Sequence, residues 1–303
     1  MANHSSAAEG GTLERLGYRG VMVQVLLLTF LCTNLLLIVT LLSNSCFYTR
    51  TRYILFTVTL FSDSLILFIS DILFLVNRFK MHIALCVPIY ILVLVYIFVT
   101  PLTLTAMTLE CYVAICLPLR HGELCTTRRT LHCILIIHGL SLLPVTVILS
   151  VFFISAPPIY YSIQRVCSMD MFVFLKWQDN VKLVLYQVYF LAMAATICFS
   201  FIKIMKAARA ASREDKKSEK KALRRVSLHG FHLLLCLVQL WCPFIETAVL
   251  HISITLFIDV RVSNYILFYL SPKCLNPLIY GLWDEKILQA LKKKFLSWRQ
   301  EKE

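Results

Sequence analysis

Apolar residues in this chain come in long runs separated by short clusters of charge, and the runs share a common length. No Lys, Arg, Asp or Glu falls within 20–49, 81–109, 130–164, 183–202 or 226–245. Two further runs carry isolated charges: 53–77 holds Asp63 and Asp71, and 262–283 holds Lys273. The hydrocarbon core of a bilayer is about 30 Å thick and takes roughly 20 helical residues to cross. Lipid offers a spanning backbone no hydrogen-bond partners, so each run is predicted to be a helix. The pattern predicts seven, at 21–45, 53–77, 86–112, 131–155, 181–206, 227–251 and 262–283. This is an all-α membrane protein: a seven-transmembrane helix bundle over 21–283, a tail over 1–20 before it and another over 284–303 after it.

Composition agrees. Of the 303 residues, 59% are hydrophobic and 16% charged, too little polar surface for a soluble fold of this size. The net charge of +13 would suit a nucleic-acid partner if it formed one patch. Instead, with the N-terminus outside, most Lys and Arg fall on the inner segments: Arg50 and Arg52, then Arg120 to Arg129, the run from Lys203 to Arg225, and the tail from Lys286 onward. The positive-inside rule selects that orientation, and anionic headgroups account for the charge. A plasma-membrane, multi-pass protein with its C-terminus in the cytoplasm follows. The first twenty residues have no apolar core, so they do not read as a cleaved signal peptide. Asn3-His4-Ser5 fits a glycosylation sequon on the outer side.

Cysteine placement follows the same two compartments. Of 12 Cys, only Cys86 and Cys167 fall on outer segments. Disulfides persist in oxidising surroundings, so these two form the natural pair, tying the loop 156–180 to the top of the third helix. No Cys or His grouping has metal spacing, and no cofactor is implied. In the tail, Ile287, Leu288, Leu291, Phe295 and Trp298 recur at three- and four-residue spacing opposite Lys292, Lys293 and Lys294. That is an amphipathic helix lying on the inner leaflet.

Several segments then carry a resemblance. The seventh helix ends SPKCLNPLIYGL, the sixth holds LWCPF, the third ends MTLECYVAIC followed by LPLRH, and Asn34 and Asp63 sit in the first two. Together they resemble rhodopsin-class G-protein-coupled receptors, and the third-helix segment resembles the odorant-receptor branch, particularly fish-type odorant receptors. The resemblance implies a small odorant ligand and a heterotrimeric G protein, of the stimulatory olfactory type. It implies that the sixth helix swings about Pro243, with Trp241 at the floor of a ligand cavity, and that Pro277 bends the seventh. It implies a central polar cluster of Asn34, Asp63, Asn276 and Tyr280 around a sodium ion with water.

Two departures stand out. Lys273 lies one turn before Asn276, and its ammonium is expected to take the ion's place beside Asp63; the alternative is a wet outer cavity. At the inner end of the third helix, where the family has acid–Arg–Tyr, this chain reads Glu110-Cys111-Tyr112. A thiol lacks the guanidinium's fork of donors, which leaves coupling through other contacts, weak coupling or an impaired chain as the readings.

Bundle cavities are mostly apolar with a few placed polar groups. The outer halves of the third, fifth, sixth and seventh helices offer Tyr90, Leu94, Ile97, Phe98, Tyr186, Tyr189, Phe244, Ile245, Ala248, Ile266 and Tyr269 for one. Asp71 and Glu246 are outer-half acids, open either to an amine ligand or to a base such as Lys80 or Lys182; Glu246 reads more as a structural pair. Inverted repeats and broken helices, the marks of a transporter, are not visible. Lys273 lies deeper than the family's retinal-bearing lysine, so an opsin is not expected. No helix pairs His, Asp or Glu at catalytic spacing, so an enzyme is not expected either. A non-olfactory receptor of the same fold is the remaining alternative.

Overall fold

The computed structural model describes residues 3–76, 81–158, 164–165, 167, 175–210, 215–278 and 284–300. Its helices are α1 (Asn3–Leu42), α2 (Thr51–Val76), α3 (Ile83–Cys116), α4 (Pro118–Leu124), α5 (Thr127–Ser155), α6 (Lys176–Ala210), α7 (Asp215–Leu250), α8 (Ile254–Asn264), α9 (Ser271–Asn276) and α10 (Glu285–Gln300). A wider π-helical turn, Tyr265–Leu270, joins α8 to α9 without a break. Six segments among the described residues are long and apolar enough to cross a bilayer, the last being Ile254–Asn276. α7, whose inner third is basic, completes the bundle.

The helices overrun the apolar runs because charge marks the water boundary without stopping a helix. α1 starts at Asn3 rather than 21, since no proline interrupts the first 49 residues. The seventh span starts eight residues earlier than expected, and Asp259 and Arg261 sit in its outer turns. α3 continues to Cys116 and stops because Pro118 follows; Leu117 is driven out of helical geometry, with φ −134° and ψ 53°. Pro118 then opens α4, which the hydrophobic pattern had not signalled. α5 begins where Thr126 accepts from the Arg129 amide at 3.4 Å.

α3 runs through the middle and packs on α2, α5, α6 and α7. Two of its buried hydroxyls bond back to their own helix, Thr103 to the Val99 carbonyl at 2.7 Å and Thr108 to that of Leu104 at 2.9 Å, so they cost little in lipid. Leu28, Leu35 and Leu36 of α1 and Leu135, Ile136 and Leu143 of α5 point outward, as the bilayer requires. On the outer side a two-residue pair of strands, β1 (Met81–His82) and β2 (Gln164–Arg165), runs antiparallel. Beside it the expected Cys86–Cys167 disulfide is formed, with Cα atoms 5.8 Å apart. On the inner side α10 docks by Ile287, 1% exposed, against Leu41, Phe47 and Tyr53.

Candidate functional site

The centre of the bundle is built around Asp63. This carboxylate on α2 is fully buried, and each oxygen has one donor: Thr100 Oγ1 of α3 at 3.0 Å and Asn276 Nδ2 of α9 at 2.6 Å. Three spans therefore meet on one acid. Asn34 is also fully buried on α1, but its amide makes no hydrogen bond among the described residues. Lys273 is 4% exposed. Its ammonium lies 4.5 Å from the centre of the Tyr269 ring, a cation–π contact. It is close enough for its charge to act on Asp63, yet the direct pair expected between them is not formed. The ammonium is turned to the Tyr269 ring instead, while Thr100 and Asn276 supply the donors to the carboxylate. Pro277 is buried just beyond. Tyr280 lies outside the described residues, as do the side chains of Asn3 and Pro243.

Above this centre the π-helical turn brings Tyr265 and Tyr269 into a stack, 5.0 Å apart and 18° from parallel. The Tyr269 hydroxyl shares a 2.6 Å hydrogen bond with Ser70 of α2, and Ile266 packs with Leu27 and Leu67. A second aromatic group lies between α3 and α6. There Phe98, 1% exposed, sits 5.2 Å from the rings of both Tyr186 and Tyr189, and Tyr189 donates to the Leu140 carbonyl at 2.6 Å. Leu94 is buried and Ile97 half-buried. Tyr90 reaches up to the Cys167 carbonyl at 3.3 Å, linking this wall to the disulfide.

α7 turns differently from the sequence reading. Trp241 is 49% and Ile245 43% exposed, and Ala248 is exposed with them. Phe244 is half-buried. The inward stripe is one residue on: Cys242 is 6% exposed, and Glu246 accepts from Asn264 Nδ2 at 3.1 Å with Arg261 at 4.0 Å. Positions 241, 245 and 248 share one helical face and 242, 246 and 249 the next, so Trp241 does not form a floor under the aromatic groups.

At the inner end, Cys111 is buried against Ile204 of α6. Tyr112 lies 5.7 Å from the Phe199 ring. Glu110 Oε1 is 3.3 Å from His121 Nε2 on α4. Next to them Thr51 shares hydrogen bonds with the Cys125 carbonyl at 2.9 Å and Thr130 at 2.8 Å, joining α2 to α5.

Residues 33–280 match the family described as 7 transmembrane receptor (rhodopsin family). The chain belongs to that family. The receptor is also 39% identical to Odorant receptor 131-2 of zebrafish, over 96% of this chain and 91% of that protein.

Three contacts of the receptor escaped the sequence. Glu246 takes Arg261 and Asn264 rather than Lys182, which lies 4.0 Å from Asp179. Asp71 accepts from Gln24 of α1. Arg261 was invisible as a partner because its charge had placed the helix start after it, and Asn264, though inside the expected span, because rotation of the two helices is not read from charge gaps. His121 lies across a proline break from Glu110, and no periodicity carries through such a break.

Proposed function

We propose that this receptor detects a small, largely apolar odorant with one or two hydrogen-bonding groups and passes the signal to a heterotrimeric G protein, of the stimulatory olfactory type. The observation that carries this reading is the 39% identity with Odorant receptor 131-2 across nearly the whole of both chains. The N-terminus is outside, with Asn3 available for glycosylation, and the basic segments from Lys203 to Arg225 and after Lys286 are inside. The aromatic group of Phe98, Tyr186 and Tyr189 and the stack of Tyr265 and Tyr269 supply the ligand's walls, and Tyr90 and Ser70 offer hydroxyls. Asp63, Asn276 and Thr100 link α2, α3 and α9, and Lys273 supplies at this centre the positive charge that an ion provides in related receptors. Coupling passes through the inner ends of α3, α4 and α6, with Cys111 in place of the family's Arg.

The test is cyclic AMP output from cells that display the tagged receptor and express an olfactory-type G protein, challenged with a panel of small odorants. A ligand-dependent rise supports the reading. Silence in the native chain with a response in Cys111→Arg means that ligand binding is intact and coupling is limited at that position. Silence in both, with the N-terminal tag outside, removes the odorant reading in favour of another ligand class or G protein.

A further inference from the structure

Glu110 lacks the neighbouring arginine of its family, and the fold supplies a different partner. His121 Nε2 lies 3.3 Å from the carboxylate, with the Glu110 side chain 15% exposed and His121 39% exposed. The acid is mostly covered by protein while the imidazole opens to the aqueous side. The two belong to different elements, Glu110 to α3 and His121 to α4, so their contact spans the break at Pro118. We infer that His121 is a positioning residue: it holds α4 against the inner end of α3 through Glu110, and its protonation sets how firmly. The inference rests on the coupling surface proposed above.

The chemistry distinguishes this pair from an arginine pair. A guanidinium stays charged at all physiological pH, so a restraint built on it does not respond to protons. Imidazole is the one side chain that ordinarily changes charge between pH 5 and 8. Protonated, it meets Glu110 in a charge-assisted hydrogen bond, roughly twice as strong as a neutral one. The sign follows. The restraint is complete on the acid side of the imidazole's titration and weakens as the inner pH rises through it.

Cys125 is the titratable neighbour of Glu110; burial, and secondarily the Glu110 charge, push its thiol up, away from this range. Charged groups toward the same end of the elements around the pair include Arg120 and Glu123 on α4, Arg50 before α2 and Arg52 on it, Arg128 and Arg129 on α5, Lys203 and Lys206 on α6, and Arg224 on α7. Arg52 is engaged by Asp284. Arg, Lys and Glu do not ordinarily change charge between pH 6 and 8; of the histidines on α5, His132 is exposed and His138 lies 2.8 Å from the Ile134 carbonyl of its own helix, and His232 on α7 is buried.

Two measurements on the purified full-length receptor in lipid nanodiscs test this. The first follows labelled histidines by NMR against pH, with the His121 signal assigned by its loss in His121→Gln. Glu110→Gln should move the His121 ring signals; signals indifferent to Glu110→Gln overturn the pair. The second reads ligand-free nucleotide exchange on a purified olfactory-type G protein at pH 6 and pH 8, normalised to the G protein alone. Exchange by the native receptor should rise about two- to fivefold with pH, the range a partly exposed ion pair supplies. His121→Gln should be high at both pH values and His121→Lys low at both. A His121→Gln receptor that keeps the native pH slope overturns the restraint. If no form promotes exchange while the His121 signals still respond to Glu110→Gln, the proposed coupling falls, and any role of the pair in output falls with it.

Discussion

The buried acid at position 63 illustrates how a charge survives inside lipid. A carboxylate at the bilayer centre costs roughly 2.5–3.5 kcal/mol on insertion scales, and the receptor offsets it with two donors and a nearby ammonium. Asp63→Ala would leave the Thr100 hydroxyl and the Asn276 amide without their acceptor, at about 1–3 kcal/mol for each orphaned group. The expected result is a clear drop in surface-labelled receptor, with Asp63→Asn closer to native. Lys273→Ala tests the ammonium. It should make ligand responses sensitive to replacing sodium with choline in the medium, where the native receptor is insensitive. Equal behaviour of the two forms would remove Lys273 from that role. The residue types of this cluster were legible in the chain, because acids and amides inside apolar runs are conspicuous. Which atoms meet was not, because both Asp63 oxygens are claimed by residues 37 and 213 positions away.

For the helices, existence and phase were unequally legible. Charge gaps of bilayer length locate a span whatever its neighbours do. His232, Gln239 and Glu246 lie on one side of α7 at seven-residue spacing and mark its polar face; the resemblance points Trp241 inward instead, while Cys242 and Glu246 hold that position. Glu246→Gln, which disturbs the contact with Arg261 and Asn264, should therefore impair ligand responses more than Ile245→Ala at equal surface expression. Dose–response curves for the two variants would decide it. α10 was legible in full outline because it is amphipathic, but its anchorage was not. Asp284 pairs with Arg52 at 2.8 Å and accepts the Lys286 amide at 3.1 Å, while Lys294 donates to the Val39 carbonyl and Ser43 at 3.2 and 2.9 Å. Ile287→Ala should weaken that docking by about 2–5 kcal/mol. Trypsin should then cut at Lys292 and Lys293 faster in opened membranes.

At the scale of the whole molecule, the Cys86–Cys167 bridge, 81 residues apart in sequence, ties Cys167 to α3, where Tyr90 of the aromatic wall reaches its carbonyl. Removing a native disulfide typically costs about 2–5 kcal/mol. Cys86→Ser should lower surface labelling and ligand response together, and a membrane-impermeant reductant applied outside should reproduce the loss of response. The same reductant failing to act would argue against an outward N-terminal face. This bridge could be read from compartments alone, since only two cysteines fall on segments expected to face the oxidising side. The strand pair beside it could not, because two-residue strands leave no periodicity.

The wide turn at Tyr265–Leu270 sets the phase between the two ends of the seventh span. A π turn holds about one residue more than the α turn it replaces, and each α-helical residue advances the chain by about 100°, so closing 265–270 as regular helix at its full length would rotate everything after it by about that angle. Asn276 would swing off Asp63 while α8 kept its contact with α7. A receptor shortened there by a single residue could close the turn as regular helix and keep both halves in register, so this turn sets the gearing between the two halves.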